Sequence, residues 1–460
     1  MIVADNTPIR SKEGIDLIKD LYQRKKEIRD FTCACFFPIK KNRRKIRKFC
    51  NYIKDRYITP KIQNKYKRIL IDCAHKSKLK VIFLVNEISK WKAQSLFDLM
   101  LQEEKFEPVI ALTIADVQKH LSLAQKKEIL DKNFNYFSAK NMPVVVAYNV
   151  AKDKAIELKS LGADIVFYQQ PYLIPKNQDI EKVSDYALTC YIPYYLPDYK
   201  NFELDCDRPF HHKLYRFYVL NKEFEKMYKE RFEQEGFESS SIKGFGHTML
   251  DLFRKNESPQ ANSPEYVIYA PHWSIPGASN ENIINNISTF NKNGKHILEF
   301  AQMHPEINWV FKPHPTLKTA LKRTGWSKAE IDNYYNAWGK LGLVSQDSDY
   351  VDLFMKSKAM ITDSGSFLME YFVTGKPLLH LISDLASHET YVELHKYFET
   401  FYKIYTNEEL DKYLQAIVLD NNDVKSEERK KILADSAFLK ENTAQNIVKD
   451  LNKIFEGTNG

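Results

Sequence analysis

The chain has 460 residues, of which 43% are hydrophobic, and its formal net charge is +8. This composition excludes a disordered polypeptide, and the length is enough for two or three domains of about 100–200 residues each. No run of about 18 apolar residues occurs, so no membrane-spanning helix is expected. The positive charge suits anionic partners such as nucleotides, polyanions or acidic lipid headgroups, without choosing among them.

The first 75 residues are predicted to form a helical, basic extension. The stretch from Lys40 to Lys48 reads KKNRRKIRK, and Ile46, Phe49 and Ile53 fall on one side of a helix. Three interpretations are open: a solvated helix that packs by its apolar edge, a contact with anionic lipid or a polyanionic acceptor, and nucleic-acid binding. Because no nucleic-acid-binding motif accompanies the charges, no nucleic-acid partner is expected.

The start of the chain and its cysteines favour a cytoplasmic protein. Residues 1–6 have neither the basic start nor the apolar core of a signal peptide. The six cysteines do not form the paired CxxC pattern of a zinc site, and reduced thiols are the expected state in a chain of this length. We therefore expect a cytoplasmic location, with the Lys40–Lys48 stretch available for peripheral contact with the inner face of the cell membrane.

Residues 76–255 are predicted to form a first Rossmann-like lobe. Short apolar runs alternate with helical segments, a pattern typical of a doubly wound parallel sheet. Ligands of such sheets bind beyond the carboxyl ends of the strands. The predicted strands are residues 80–86, 108–113, 143–148 and 164–168.

A polar, turn-rich link at residues 258–264 is predicted to begin a second Rossmann-like lobe, residues 256–460. The tail from Ser426 to Phe455 is predicted to be helical. It either caps the second lobe or crosses back to the first. The fold class expected for the whole chain is α/β, with two doubly wound lobes and a helical, basic N-terminal extension. The predicted strands of the second lobe are residues 266–270, 309–311, 359–362 and 377–381.

Three strands of the second lobe end in reactive side chains. His272 follows the first strand, and Lys312 and His314 follow the second. Because the carboxyl ends of parallel strands share one edge of a sheet, these groups are expected to converge. An imidazole can accept a proton from an attacking hydroxyl near neutral pH, and a second one can donate to a phosphoryl oxygen.

The third reactive strand end is the turn Thr362-Asp363-Ser364-Gly365-Ser366, which leads into a helix. Unpaired amides at a helix start attract anions, hydroxyls add donors, and glycine allows close approach. The turn is therefore interpreted as a phosphate-binding site. The alternative is an ordinary N-cap on a core helix, since Ser and Asp are good caps.

The segments APHWS (270–274), FKPHP (311–315), TDSGS (362–366) and GKP (375–377) resemble the CDP-glycerol glycerophosphotransferase family. The resemblance covers roughly residues 240–420, with the motifs in the right order. It implies a GT-B-like fold and an enzyme of teichoic-acid-like or capsule polymer synthesis. Such an enzyme moves a polyol phosphate, glycerol phosphate in the first instance, from a CDP-activated donor to a glycan or lipid-linked acceptor and releases CMP.

The resemblance also implies roles for individual residues. His272 matches the proposed general base, and His314 matches a histidine that contacts the donor diphosphate, which Lys312 and the helix start would help to neutralise. Ser364 and Ser366 match the polar turn that binds phosphate. Gly365 separates the two serines where family members often have an aromatic residue with adjacent serines. That departure bears on the donor more than on the reaction class.

The expected roles of two carboxylates and the need for a metal ion complete the prediction of the site. Glu370, one turn beyond Ser366, is expected either to face the site and bind the cytidine ribose or polyol, or to be a surface carboxylate. Asp363 is expected to order the turn. No cluster with metal-ligand spacing occurs, so no cofactor is required, although Mg²⁺ held by the donor diphosphate is open.

Two alternative interpretations of the function remain open. The Thr-Asp-Ser-Gly turn with its downstream Gly-Lys-Pro also resembles UDP-GlcNAc 2-epimerases and UDP-sugar glycosyltransferases. An epimerase needs acidic and basic groups at strand ends of the first lobe, where only Asn86-Glu87, Thr113 and Asn149 stand out. The second rival is a non-catalytic module that binds a polymer through the Lys40–Lys48 helix.

Overall fold

The predicted basic extension and the predicted link at 258–264 lie partly or wholly outside the described residues. Lys40 to Lys48 fall in a helix, but their side chains are not described, so their contact with a membrane or polyanion stays a prediction, as do the domain boundaries. None of the helices in the described part of the chain is long and apolar enough to cross a bilayer. The computed structural model describes residues 40–255, 265–278, 287–345, 347, 349–386 and 389–456.

The first lobe is a seven-stranded parallel sheet covered by helices, with a small two-stranded hairpin beside it. Its strands are β1 (Leu79–Val85), β2 (Phe106–Leu112), β3 (Val144–Val146), the hairpin β4 (Tyr148–Asn149) and β5 (Lys154–Ala155), β6 (Ile165–Tyr168), β7 (Leu188–Tyr191), β8 (Arg216–Val219) and β9 (Ile242–Gly244). Its helices are α1 (Lys40–Ala74), α2 (Gln94–Gln102), α3 (Leu123–Ala139), α4 (Ile180–Val183), α5 (Phe202–Asp205), α6 (Pro209–His212), α7 (Lys222–Gln234) and α8 (Leu250–Lys255).

The second lobe is a six-stranded parallel sheet with its own helices. Its strands are β10 (Tyr266–Ala270), β11 (Asn308–Phe311), β12 (Gly342–Val344), β13 (Ser357–Thr362), β14 (Leu378–Leu381) and β15 (Tyr402–Ile404). Its helices are α9 (Phe290–Met303), α10 (Leu317–Arg323), α11 (Lys328–Leu341), α12 (Val351–Met355), α13 (Gly365–Phe372), α14 (His395–Phe398), α15 (Asn407–Tyr413) with a π-helical continuation (Leu414–Leu419), α16 (Ser426–Asp435) and α17 (Ala437–Lys440); α18 (Thr443–Glu456) follows.

The central strands are buried on both faces. In β1, Ile82 and Leu84 pack in one core while Val81 and Phe83 pack in another on the opposite side of the sheet. This explains the nearly continuous apolar sequence LKVIFLV, which is typical of parallel sheets covered by helices.

The strands of the two sheets follow the same order, and the first sheet has one further strand, β9, at its end. The first runs β3-β2-β1-β6-β7-β8-β9 and the second β12-β11-β10-β13-β14-β15, with every described neighbour pair parallel. In each, the chain starts in the middle, builds one side and then reverses, which is the doubly wound nucleotide-binding order. The predicted fold class is confirmed. The reversal in the second lobe falls between β10 and β13, where ligands of such sheets bind.

The sequence differs from the structure at several strands. The run at 143–148 is divided between the end of the sheet (β3) and the separate hairpin (β4). Strands β7, β8, β9, β12 and β15 were not expected. Each is three or four residues long.

The tail crosses back to the first lobe. Helix α18 buries Ile447, Val448 and Leu451 in the core that also contains α1, α2 and one face of β1. Asp450 accepts a hydrogen bond from Arg216 Nε at 2.7 Å and one from the Tyr218 hydroxyl at 3.2 Å, which fixes the helix to β8. Of the two placements left open by the sequence, the crossing is the observed one.

Asp251 joins α8 to the start of α18. Its carboxylate accepts the N–H groups of Thr443 and Ala444, each at 3.0 Å, and the Ser95 hydroxyl at 3.0 Å. A carboxylate at a helix N-terminus satisfies unpaired amides and complements the helix dipole. The chain therefore re-enters the first lobe at α8, the last helix before it left.

We predict that α18 is an essential part of the first lobe's core. Leu451 is fully buried, so L451A should lower the free energy of unfolding by about 2–5 kcal/mol. Urea denaturation followed by circular dichroism measures this. Lys449, exposed on the same helix, supplies the control K449A, which should stay within about 0.5 kcal/mol of wild type. Equal effects of the two variants would contradict the packing role.

Candidate functional site

The three reactive strand ends meet at the reversal point of the second sheet. Strand β10, which ends before His272, lies between β11 and β13. The imidazole rings of His272 and His314 are 5.4 Å apart between centroids. Asp363, in the turn after β13, contacts the backbone of His272. The expected convergence of these groups is therefore present.

Asp363 orders the site through backbone contacts. Its Oδ1 accepts the N–H of His272 at 2.6 Å, and its Oδ2 accepts the N–H of Thr289 at 2.6 Å and the Thr289 hydroxyl at 3.3 Å. Burial raises the pKa of Asp363 to about 6, against the lowering effect of these hydrogen bonds. Both oxygens are thus used to join the turn to the loop after β10 and to the start of α9.

Thr362 closes the turn through its side chain. Its buried hydroxyl donates to the carbonyl of Ala270 at 2.6 Å and accepts the N–H of Ser364 at 3.0 Å. The hydroxyl of Thr362 is therefore engaged within the turn, and the substrate contact expected of Thr362 stays a prediction.

The start of α13 keeps unpaired donors. The amides of Gly365 and Ser366 have no acceptor among the described residues, and the Ser366 side chain is exposed. Ser364, the N-cap, makes no capping bond with its side chain. Unpaired amides and the positive end of the helix dipole together form an anion-binding position. The predicted phosphate site has the donors that it requires.

Both histidine rings are held through Nδ1 by a residue two positions further along the chain. His272 Nδ1 accepts the N–H of Ser274 at 3.2 Å, with the Ser274 hydroxyl at 2.8 Å. His314 Nδ1 likewise accepts the N–H of Thr316 at 3.2 Å, with the Thr316 hydroxyl at 2.9 Å. A neutral imidazole whose Nδ1 accepts carries its proton on Nε2. In this tautomer the proton of His272 is on Nε2, and the role of general base that the family resemblance implies for His272 stays a prediction.

Burial keeps both rings neutral. It lowers the pKa of His272 to about 3, with a further contribution from His314, and it lowers the pKa of His314 to about 4. Neutral donors suit a phosphate oxygen, and neither ring is basic enough to be charged near neutral pH.

Lys312 supplies a partly desolvated cation. Its Nζ donates to the carbonyl of Asp347 at 2.7 Å and lies 5.1 Å from the ring centre of Tyr350. Burial lowers the pKa of Lys312 to about 8. Lys312 lies one residue after β11 and two residues before His314.

Glu370 is buried at a contact between the lobes. It accepts a hydrogen bond from the hydroxyl of Tyr350, and Lys92 Nζ of the first lobe lies 3.8 Å from its Oε1. Lys92 also donates to the Tyr350 hydroxyl. Burial raises the pKa of Glu370 and lowers that of Lys92. The surface alternative for Glu370 is wrong, and its carboxylate is already engaged in this structure.

Lys92, Tyr350 and Asp198 are site residues that the sequence did not single out. Asp198 comes from the loop after β7 of the first lobe and packs directly against Gly365. A Cβ at position 365 would overlap the Asp198 carboxylate, which explains the glycine at the departure from the family pattern. No motif marks these residues. Lys92 and Asp198 reach the second lobe from loops of the first, so their approach depends on how the lobes meet.

Solved structures with the same arrangement of lobes define the class of fold. The wall teichoic acid polymerase TagF superposes with a TM-score of 0.53 at 12% identity, over 92% of this chain and 100% of that chain. A UDP-GlcNAc 2-epimerase from Neisseria meningitidis superposes with a TM-score of 0.50 at 16% identity, over 82% of this chain and 100% of that chain. The complex of S. aureus MnaA with UDP superposes with a TM-score of 0.51 at 13% identity, over 83% of this chain and 97% of that chain. The chain has the two-lobed GT-B-like fold.

The family follows from the second lobe. Residues 255–453 match the family of CDP-glycerol:poly(glycerophosphate) glycerophosphotransferases. The predicted family resemblance is confirmed over this range, which comprises the second lobe and most of the tail. A search of curated proteins gives no match.

We predict that His272 and His314 stay neutral at pH 5. The pKa values of both rings in the folded protein lie below that of a histidine in the unfolded chain. As pH falls from about 6.5 toward 4, the unfolded chain therefore binds more protons than the folded one, and the free energy of unfolding decreases. NMR of ¹³C-labelled imidazoles, assigned with H272Q and H314Q, should show no titration of either ring between pH 5 and 8. A midpoint near 6.5 would contradict the assigned environment.

We further predict that G365A disrupts the contact between the lobes. The added methyl group overlaps Asp198, so the free energy of unfolding should fall by about 1–3 kcal/mol, and G365A/D198A should recover most of the loss. Urea denaturation measures both. In the control G339A, the methyl group meets open space in a helix, and a gain of up to about 1 kcal/mol is expected. Wild-type stability of G365A would refute the steric constraint.

Proposed function

We propose that this protein transfers glycerol phosphate, or a related polyol phosphate, from a CDP-activated donor to a hydroxyl of a cell-surface glycan. The acceptor is a teichoic-acid-like or capsule polymer or its lipid-linked primer, and CMP is released. The observation that carries the proposal is the set of donors at one sheet edge: two unpaired amides, two neutral imidazoles and a partly desolvated lysine.

The donor diphosphate would lie between α13 and the two histidines. The amides of Gly365 and Ser366 bind one phosphoryl group, and Lys312 with His314 and His272 supplies charge and hydrogen bonds to the other. In phosphoryl transfer, catalysis comes mainly from positioning and from stabilising charge on the phosphoryl oxygens. Neutral N–H donors and fixed amides provide that stabilisation without having to reorganise.

We propose that no protein-bound metal takes part. Within the described residues, no three His, Cys, Asp or Glu side chains are grouped so as to hold an ion. Asp363, the carboxylate within the phosphate turn, accepts hydrogen bonds with both of its oxygens. Mg²⁺ would therefore enter, if at all, as an ion already bound to the diphosphate.

The acceptor would approach from the first lobe. We propose that the basic stretch from Lys40 to Lys48 holds the enzyme at an anionic membrane or on a polyanionic acceptor, since clustered lysines and arginines are attracted to such surfaces. Its position on the first lobe, through α1, supports this role.

A nucleotide-sugar reaction is the second candidate, because the epimerases superpose nearly as well as TagF. At the first lobe's strand ends, Glu87 pairs with Lys90 at 3.2 Å and Thr113 donates to Gln178 at 2.7 Å. These groups are occupied, which favours phosphotransfer. The identity of the donor has to decide between the two reactions.

The deciding experiment is a donor screen with CDP-glycerol, CDP-ribitol, UDP-GlcNAc and UDP-glucose, with release of CMP or UDP as the readout. We expect CMP release from a CDP-polyol, retained in EDTA, and a loss of about 100-fold or more in H314A because a phosphate donor is removed. K318A, an exposed lysine on α10, is the control and should keep wild-type turnover. Turnover of a UDP-sugar alone would overturn the proposal.

A further inference from the structure

The first lobe has a small cavity at the reversal point of its own sheet. Strand β1 lies between β2 and β6, and the residues that directly follow these three strands, Asn86, Thr113 and Gln169, all line the cavity. Its volume is about 20 Å³, which is room for one group of the size of a water molecule. Ligands of doubly wound sheets bind at this edge of the sheet.

Two buried amide groups at this cavity have no partner. Asn86 and Gln169 are 5% and 8% exposed, and neither Asn86 Nδ2 nor Gln169 Nε2 has a hydrogen-bond partner among the described residues. The Gln169 side chain is oriented by its Oε1, which accepts the N–H of Asn86 at 3.2 Å. A buried donor without a partner destabilises a fold, so such groups usually meet a ligand or a bound water. Two of them at one small cavity indicate a site for an oxygen atom.

The surroundings of the cavity are neutral. None of its described lining residues is charged, and the Thr113 hydroxyl is engaged as a donor to Gln178 Oε1 at 2.7 Å. Lys90 Nζ donates to Gln170 Oε1 at 2.7 Å and is paired with Glu87 at 3.2 Å. A phosphate oxygen would be buried here without a cation of its own, which is costly. A hydroxyl oxygen fits, because it accepts hydrogen bonds from amides and is uncharged.

The cavity adjoins the contact between the lobes at the donor site. Gln169 also lines a second cavity of about 20 Å³ together with Lys92. Lys92 Nζ lies 3.8 Å from Oε1 of Glu370, on the helix α13 that begins at the predicted phosphate turn. The loop after β1 thus runs from Asn86, at the first cavity, to Lys92, at the second lobe. A group held by Asn86 and Gln169 therefore lies on the side of the first lobe that faces the donor.

We propose that Asn86 and Gln169 bind a hydroxyl group of the acceptor and so determine where the acceptor lies against the donor. The inference deepens the proposed function and rests on it. Asn86 Nδ2 and Gln169 Nε2 donate hydrogen bonds to the hydroxyl oxygen. The ligand is a polyol or sugar end that presents neutral hydroxyl groups, and any phosphate of the acceptor stays outside the cavity. The two amides bind and orient the acceptor, and no proton transfer is assigned to them.

The test measures initial rates of CMP release at saturating CDP-glycerol in three variants. Q169E keeps the Oε1 that accepts the N–H of Asn86 and removes one unpaired donor, and N86L removes the other. Q118E is the matched control. Gln118 Oε1 also accepts a backbone N–H, that of Ala115 at 3.0 Å, but Gln118 does not line the cavity.

Two acceptors are compared, glycerophosphoglycerol with a polyol end and methyl β-N-acetylglucosaminide as a sugar. The one that accelerates CMP release by wild type identifies the source of the hydroxyl. We expect its KM to rise about 10-fold in Q169E and in N86L, since each variant loses one hydrogen bond to the hydroxyl. The KM of CDP-glycerol should stay within about twofold of wild type, and Q118E should keep both KM values. The Tm of N86L should equal or exceed that of wild type, because an apolar side chain replaces an unpaired buried donor.

An acceptor KM of wild-type value in both Q169E and N86L would overturn the inference and leave the donor assignment intact. If the Tm of N86L were lowered as well, a structural water between the amides would be indicated. An equal rise in the KM of CDP-glycerol would also overturn the inference, since it would indicate a general distortion. The same holds for CMP release by wild type that neither acceptor accelerates. Absence of CMP release from CDP-glycerol by wild type would overturn the proposed function together with the inference.

Discussion

The buried carboxylate of Asp363 is the constraint on which the site depends. With one oxygen it holds the backbone of His272, and with the other it holds Thr289 at the start of α9. The turn after β13, the loop after β10 and a helix start are therefore fixed relative to one another by a single side chain. Buried polar networks of this kind define geometry strongly because every broken hydrogen bond leaves an unsatisfied group. The direction of the His272 ring follows from this backbone position and from Ser274.

A second set of polar contacts joins the lobes across the site. Lys92 of the first lobe meets Tyr350 and Glu370 of the second, in surroundings from which water is largely removed. A buried ion pair adds little net stability, because desolvation offsets the attraction, but loss of one partner is costly. Such a pair specifies one arrangement of the lobes more than it strengthens the fold. The same arrangement carries Asp198 to Gly365.

The sequence was sufficient for the parts of the fold that are locally encoded. Strands β10, β11, β13 and β14 are apolar runs that end in polar residues, and the turn at Thr362–Ser366 could be recognised because hydroxyl, carboxylate and glycine precede a helical pattern. Short strands such as β7 and β8 carry too few apolar residues to be distinguished. Asp198 and Lys92 could not be found, since their role depends on tertiary approach. The tautomer of His272 was also beyond reach, because it depends on where the N–H of Ser274 points.

The return of α18 to the first lobe has a consequence for the order in which the protein is made. The first lobe is discontinuous in sequence: its main part ends with α8, and its last helix follows the whole of the second lobe. On the ribosome, the apolar surface that Ile447 and Leu451 will cover is synthesised before the second lobe and stays uncovered until the second lobe has been synthesised. The second lobe can finish its sheet before the first has its full core. The core of the first lobe is thus completed by a helix made after the second lobe, and the nascent first lobe is the natural target of chaperones that bind exposed apolar surface.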